Sequence, residues 1–117
     1  MRIPSHPTLI RNQRQGRLNQ LGRLKPFVAA SLVTLEVRCG RPGCRCAEGP
    51  GHPSAYLTLK RAAKTVKVYV PKAHLPEVQQ WVGEYHKVKR LVREVSELSL
   101  GWLRAQARIK RAQRTRR

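Results

Sequence analysis

The chain has 117 residues, and its 25 lysines and arginines against six acidic residues give a formal net charge of +19. Its length predicts one domain with a modest core, and its basicity predicts a polyanionic partner, nucleic acid before an anionic membrane surface. No segment approaches membrane-spanning length and the start lacks a signal-peptide pattern, so we expect the protein in the reducing cytoplasm and not in a membrane.

Residues 1–30 are predicted to form a basic N-terminal arm. Six basic residues and no acid occupy positions 1–25. Leu18, Leu21 and Leu24 have weak helical spacing, which Gly16 and Gly22 dilute. Because like charges repel and little apolar surface is present, we expect the free arm to be disordered and to order on nucleic acid.

Residues 31–100 are predicted to form an α+β domain. Val33, Leu35 and Val37 alternate with polar residues, which predicts a half-buried strand over Leu32–Arg38. Two further alternating runs predict strands Ala55–Lys60 and Thr65–Val70, which complete a three-stranded antiparallel sheet; the type of turn between them stays open.

After Pro71 the apolar spacing changes to three and four residues. This change predicts a long C-terminal helix from near Leu75 that packs on the sheet and partly buries Trp81. Gly101, which follows Ser99 and Leu100, predicts a break or kink. Residues 101–117 are predicted to form a basic helical tail, with seven basic residues and no acid from Arg104 onward.

The loop between the first two strands is predicted to bind zinc (Zn²⁺). It contains all three cysteines, followed by a histidine: Cys39, Cys44, Cys46 and His52. Clustered thiols in a reducing compartment favour a metal over a disulfide, and three sulfurs with one imidazole suit tetrahedral zinc. His74 is the main rival for the fourth ligand, and unliganded cysteines are the other interpretation. Four protein ligands leave no position for water, so the site is expected to be structural.

Three stretches carry a resemblance to a known family: RCGRPGCRCAEGPGH, AYLTLK with KTVKVYVPK, and VQQWVGEYHKVKRLVREVSEL. Across residues 30–100 the chain resembles small basic bacterial and phage proteins with an RCGKPGCRCA…HGP loop, often encoded near transposases and other mobile elements. The family's three cysteines and histidine fall on Cys39, Cys44, Cys46 and His52. The family's tyrosine-rich strand retains Tyr56 here, and its glycine turn is Ala62-Ala63. The resemblance implies a fold and a genomic setting, but no activity.

The sequence favours a nucleic-acid-binding accessory protein, with RNA preferred to DNA, as a ribonucleoprotein or mobile-element component that could pair with a larger protein of the same element. The expected nucleic-acid-binding residues lie in the arm, the loop, the hairpin and the tail: Arg11, Arg14, Arg17, Arg23, Lys25, Arg38, Arg41, Arg45, Lys60, Lys64, Lys67, Arg104, Arg108, Lys110, Arg111 and Arg114.

Two other functions fit the sequence less well. A nuclease or transposase-related enzyme would need clustered carboxylates for two-metal chemistry, whereas this chain has no aspartate and its glutamates are scattered, so we expect no catalytic residues. A protein-interaction module could use the apolar helix face, but covering the sheet is a simpler use of that face.

Overall fold

The computed structural model describes residues 1–38, 40–45, 49 and 51–115. Its elements are helix α1 (Pro7–Leu21), strands β1 (Ser31–Val37), β2 (His52–Arg61) and β3 (Lys64–Val70), a 3₁₀ turn (Lys72–His74) and helix α2 (Leu75–Thr115). They form two compact units: the sheet unit (Pro26–Tyr85) and the helical unit (Met1–Lys25 with His86–Arg117).

The sheet is antiparallel with strand order β1-β2-β3, as predicted. Strand β2 begins at His52, earlier than the predicted Ala55, because its pairing with β1 continues to Val37↔His52. Strand β3 pairs with β2 only as far as Ala55. Pro53 therefore has a neighbouring strand on one side alone, a position where a strand tolerates proline.

One face of the sheet carries the core of the sheet unit. Leu57 and Val70 are buried there with Ala30 and Val78, and the half-buried Trp81 packs against them, as predicted. Strand β1 contributes Leu32 to this cluster. The more obvious apolar series of Val33, Leu35 and Val37 alternates onto the opposite face, because Leu32 pairs with Leu57 and Val33 with Tyr56.

Helix α2 begins at Leu75, as predicted, and runs to Thr115 without the break expected at Gly101. Gly101 is buried, and a Cβ atom there would lie 2.8 Å from Cγ2 of Ile3. The glycine therefore permits a close approach within the helical unit and does not end the helix. Among the described residues, none of the helices combines the length and the apolar character needed to cross a bilayer.

Residues 7–21 form a helix where the sequence predicts a disordered arm. His6 caps helix α1 by accepting a hydrogen bond at Nδ1 from the Thr8 amide (3.2 Å), and Pro7 occupies its first turn. Ile10 is fully buried with Leu98 and Ala105 of α2. The segment has few apolar residues, so we attribute its helix to these start signals and to the burial of Ile10.

Replacing Ile10 with alanine should lower the free energy of unfolding by about 2–4 kcal/mol, because a buried side chain leaves a cavity. Leu9→Ala is the matched control: Leu9 neighbours Ile10 on α1 but is 54% exposed. Its loss should change stability by less than about 0.5 kcal/mol. Urea denaturation of both variants measures the difference. Equal effects would show that α1 is not packed as described.

The hairpin turn between β2 and β3 has an unfavourable backbone for its residues. Ala62 and Ala63 have φ of 49° and 66°, both in the left-handed region, and Arg61 pairs with Lys64 across them. This is the pattern of a type I′ turn, which favours Asn-Gly. The double substitution Ala62→Asn, Ala63→Gly should therefore stabilise the protein by about 1–2 kcal/mol in thermal or chemical denaturation. Ala73→Gly, in the 3₁₀ turn, should give no such gain; an unchanged or lower stability of the turn variant would contradict this turn geometry.

Candidate metal centre and nucleic-acid interface

The two ends of the cysteine loop are held together by a close backbone approach. Val37 and His52 are the last pair of the β1–β2 register. A Cβ atom at Gly51 would lie 2.7 Å from the Val37 nitrogen and 2.9 Å from the Glu36 carbonyl carbon. Only glycine fits at this distance, so Gly51 allows the loop to close directly beside His52.

A tight turn presents Cys44. The Cys44 amide donates a hydrogen bond to the Arg41 carbonyl (3.3 Å), and Gly43 has a φ of 75°. Proline followed by glycine at the two central positions, with a positive φ at the glycine, is the pattern of a type II turn. Gly40 also has a positive φ, 73°. Glycines at these positions allow the backbone conformation that brings Cys44 beside His52 of β2.

The structure brings two of the predicted ligands together. The Cys44 sulfur lies 3.1 Å from Nε2 of His52. Sulfur and nitrogen ligands of one tetrahedral zinc stand about 3.6 Å apart, given bonds of about 2.3 and 2.0–2.1 Å. The pair thus needs to separate by only about half an ångström to hold a metal between them.

The other two predicted ligands, Cys39 and Cys46, lie outside the described residues. Within the ranges 1–38, 40–45, 49 and 51–115, no group of three or more metal-binding side chains occurs. The geometry does bear on the choice of histidine. His74 ends the 3₁₀ turn before α2, with Nδ1 3.8 Å from a Glu77 carboxylate oxygen, whereas His52 lies beside Cys44. This placement favours His52 over His74 as the candidate fourth ligand.

Three arginines of the predicted nucleic-acid interface contact other side chains of the helical unit. The Arg11 guanidinium lies 4.9 Å from the centre of the Trp102 ring. Arg14 donates a hydrogen bond to the Ser99 hydroxyl (3.2 Å), and Arg17 Nε donates to Glu94 Oε1 (3.3 Å). Arg14 and Arg17 are half-buried, so their aliphatic parts also cover surface between the helices. These arginines therefore help to hold α1 in place.

The remaining predicted contact residues are exposed. They follow α1 (Arg23 and Lys25), lie in the loop after β1 (Arg38, Arg41 and Arg45), on the hairpin (Lys60, Lys64 and Lys67), or on α2 (Arg104, Arg108, Lys110, Arg111 and Arg114). The last group is the densest. We call it the basic end of α2; it follows Glu97, the last acid of the sequence.

The basic end of α2 places like charges beside one another. Arg104, Arg108 and Arg111 are spaced four and three residues apart on one side of the helix, and Lys110 and Arg114 are spaced four apart. Like charges at these spacings destabilise an isolated helix. A bound polyanion would remove that cost, so this segment is suited to an anionic partner.

The sequence interpretation did not identify a pair of tyrosines on the sheet. Tyr56 and Tyr69 are register partners on β2 and β3, and their ring centres are 5.7 Å apart in an edge-to-face arrangement. The signal was present: a two-residue turn at Ala62-Ala63 fixes the pairing of Tyr56 with Tyr69. Alternation alone does not establish a two-residue turn where neither Asn nor Gly is present.

A family model for the domain of unknown function DUF6788 matches residues 8–80. The match covers more than half of the chain, which therefore belongs to this family. It extends from α1 through the sheet into the start of α2, so it includes residues 8–30 of the predicted N-terminal arm. No curated protein and no solved structure matches the chain.

The pairing of Cys44 with His52 leads to a prediction about metal content. Protein purified without chelator should contain one zinc per chain, and Cys44→Ser should lose the metal together with much of the stability, because zinc binding and loop folding are coupled. His52→Ala should also lose zinc, whereas the matched control His74→Ala should retain it. Elemental analysis and thermal melts measure both properties.

An absence of zinc from the native protein would contradict the metal site. Retention of zinc by His52→Ala, with loss from His74→Ala, would instead assign the fourth ligand to the other histidine.

Proposed function

We propose that this member of the DUF6788 family is a non-catalytic nucleic-acid-binding protein that prefers RNA to DNA and whose cysteine loop holds a structural zinc ion. A role in a ribonucleoprotein is part of this proposal and rests on the basic segments of the sequence. The alternative of a mobile-element component, with a larger protein of the same element as partner, rests on the family resemblance. A cytoplasmic location is part of the same proposal, because a zinc-binding loop needs reduced thiols, which that compartment maintains.

The basic end of α2 carries the proposal. Its five exposed cations lie on a regular helix with no acid between Glu97 and the end of the described chain. Phosphates spaced along a nucleic acid neutralise such a series, and release of their condensed counterions drives the association. A membrane surface is a weaker fit for this segment, because an interfacial helix also needs a broad apolar face, and Ile109 is the one large apolar side chain among residues 104–115.

The contacts of α1 narrow the set of residues that bind phosphate. Arg17 already pairs with a carboxylate, and Arg11 lies against an indole ring. Recruiting these groups to a phosphate would cost the contacts that hold α1. We therefore assign the main electrostatic contribution to the basic end of α2, with the loop and hairpin cations adding to it.

The preference for RNA is supported by the exposed tyrosine of the sheet. Tyr69 is 57% exposed. Aromatic side chains on open sheets stack on unpaired bases, which are common in the loops and bulges of folded RNA. Phosphate contacts by themselves do not discriminate between RNA and DNA.

The non-catalytic assignment is supported by the environment of the glutamates. Two-metal phosphoryl transfer needs several carboxylates free to bind metal ions. The chain has no aspartate, and the Glu94 carboxylate is already paired with Arg17. The mobile-element enzyme considered above is therefore less well supported than the binding protein.

Salt-dependent binding tests the proposal. A variant with Arg104, Arg108, Arg111 and Arg114 replaced by glutamine removes four exposed charges but keeps good helix formers. Each lost phosphate contact should reduce the slope of log K against log salt by about 0.7–0.9, so the variant should lose up to about 3 units of slope. The measurement is a titration against a structured RNA and a DNA duplex at several salt concentrations.

A matched control removes the same charge elsewhere. Lys87, Lys89, Arg90 and Arg93 are exposed residues of α2 outside the proposed interface, and their replacement by glutamine should change the slope much less. Equal slopes for the two variants would mean that the basic end of α2 makes no specific contribution. Failure of the native protein to bind either nucleic acid would overturn the proposed function.

A further inference from the structure

The sheet has a second face that its own core does not use. Alternation along the strands places Val33, Leu35, Val37, Tyr56 and Tyr69 on this side, which we call the open sheet face. The buried residues of the sheet unit lie on the other side, around Leu57 and Val70. No strand position on the open sheet face is buried in the described strands.

The two tyrosines have different environments. Tyr56 is on the central strand and half-buried, and Tyr69 is on the edge strand and 57% exposed. Their planes are inclined by 64°, so the edge of one ring meets the face of the other. This contact holds the Tyr69 ring in a defined orientation while leaving most of it accessible.

Positive charge lies on the same face as the tyrosines. Lys67 is two residues before Tyr69 on β3 and pairs with Thr58, and Lys60 is four residues after Tyr56 on β2. His52, at the opposite end of β2, shares this face and lies beside the cysteine loop with its exposed Arg41 and Arg45. Glu36, the one glutamate of the described strands, alternates onto the other face.

We propose that the open sheet face binds single-stranded nucleic acid, with an unpaired base stacked on Tyr69 and adjacent phosphates bound by Lys60 and Lys67. Tyr56 is a positioning residue that fixes the Tyr69 ring. The inference rests on the proposed nucleic-acid-binding function and adds to it the class of ligand and a second surface.

The chemistry of the face decides between a nucleic acid and a protein partner. Val33, Leu35 and the tyrosines provide apolar surface, and the charged side chains of the same strand face, Lys60 and Lys67, are positive. A strand of nucleic acid presents planar bases and regularly spaced negative charges, which match stacking surface and cations together. A protein partner would have to present negative charges next to flat aromatic surface in order to contact both the lysines and the tyrosines.

Stacking can be separated from phosphate binding by one substitution. Tyr69→Ala should weaken binding of a short single-stranded RNA about 5- to 100-fold, because one base loses its stacking partner. The slope of log K against log salt should stay unchanged, since no charge is removed. Tyr69→Phe should bind like the native protein, because stacking does not need the hydroxyl group.

Phe27→Ala is the matched control. Phe27 is 48% exposed and stacks on Tyr85 of α2, with ring centres 6.3 Å apart, so it is an exposed aromatic residue away from the open sheet face. Its loss should leave the affinity for single-stranded RNA within about twofold of native. A perfectly paired RNA duplex should bind the native protein and Tyr69→Ala equally, because its bases are not available for stacking.

A second measurement does not depend on any variant. In the native protein, ring protons of Tyr69 should shift upfield in nuclear magnetic resonance spectra when single-stranded RNA is added, and those of Phe27 should not. Unchanged affinity of Tyr69→Ala, or unchanged Tyr69 resonances in a complex that forms, would overturn the stacking site while the salt-dependent binding of α2 still stood. Absence of any complex with the native protein would overturn the proposed function, and the stacking site with it.

Discussion

Twenty-five basic side chains repel one another in this chain, and six glutamates neutralise only part of that charge. A small fold gains little from hydrophobic burial, so each cation must be screened, paired or exposed to water. On helix α1, Arg17 pairs with Glu94 and Arg11 lies against Trp102. The cations at the basic end of α2 are instead exposed to water, which is the physical reason for proposing that they bind a polyanion.

Two close backbone approaches and one turn determine which side chains lie together on the surface of this protein. Gly51 lets β1 and β2 meet at the base of the cysteine loop, and Gly101 lets Ile3 reach α2 within the helical unit. The two-residue turn at Ala62-Ala63 sets the register that joins Tyr56 to Tyr69. Backbone geometry thus places the candidate ligand His52 and both tyrosines on the same face of β2 and β3.

The spacing of apolar residues in the sequence predicted the three strands and the C-terminal helix. The three strands and the start of α2 at Leu75 follow from alternation that changes to helical spacing, and the burial of Trp81 follows from that helix. The packing of α1 could not be predicted in this way. Its inner side is made of Ile10 and the stems of Arg14 and Arg17, whereas the more obvious Leu9 and Leu18 are exposed. An arginine whose aliphatic part packs against another helix is still counted as a charged residue in the sequence, so this packing produces no apolar pattern.

The candidate site was predicted in part. Clustered ligand types pointed to the loop, and the structure places His52 beside Cys44, whereas the position of Cys39 and Cys46 lies outside the described residues. The sequence could not choose between Val33 and Leu32 as the inward-facing residue of β1, because both neighbouring positions are apolar and register alone decides. Gly101 was likewise predicted to break or kink the helix, because the sequence alone does not show whether a glycine ends a helix or allows a neighbouring side chain to approach it.

The most direct test of the central claim is ultraviolet cross-linking in the native cells, followed by capture of the protein and sequencing of the attached nucleic acid. The native protein and the variant with glutamine at positions 104, 108, 111 and 114 should be compared at equal abundance. The account predicts that RNA is recovered with the native protein and that the variant recovers much less. Recovery of no nucleic acid, or of equal amounts with both proteins, would contradict it.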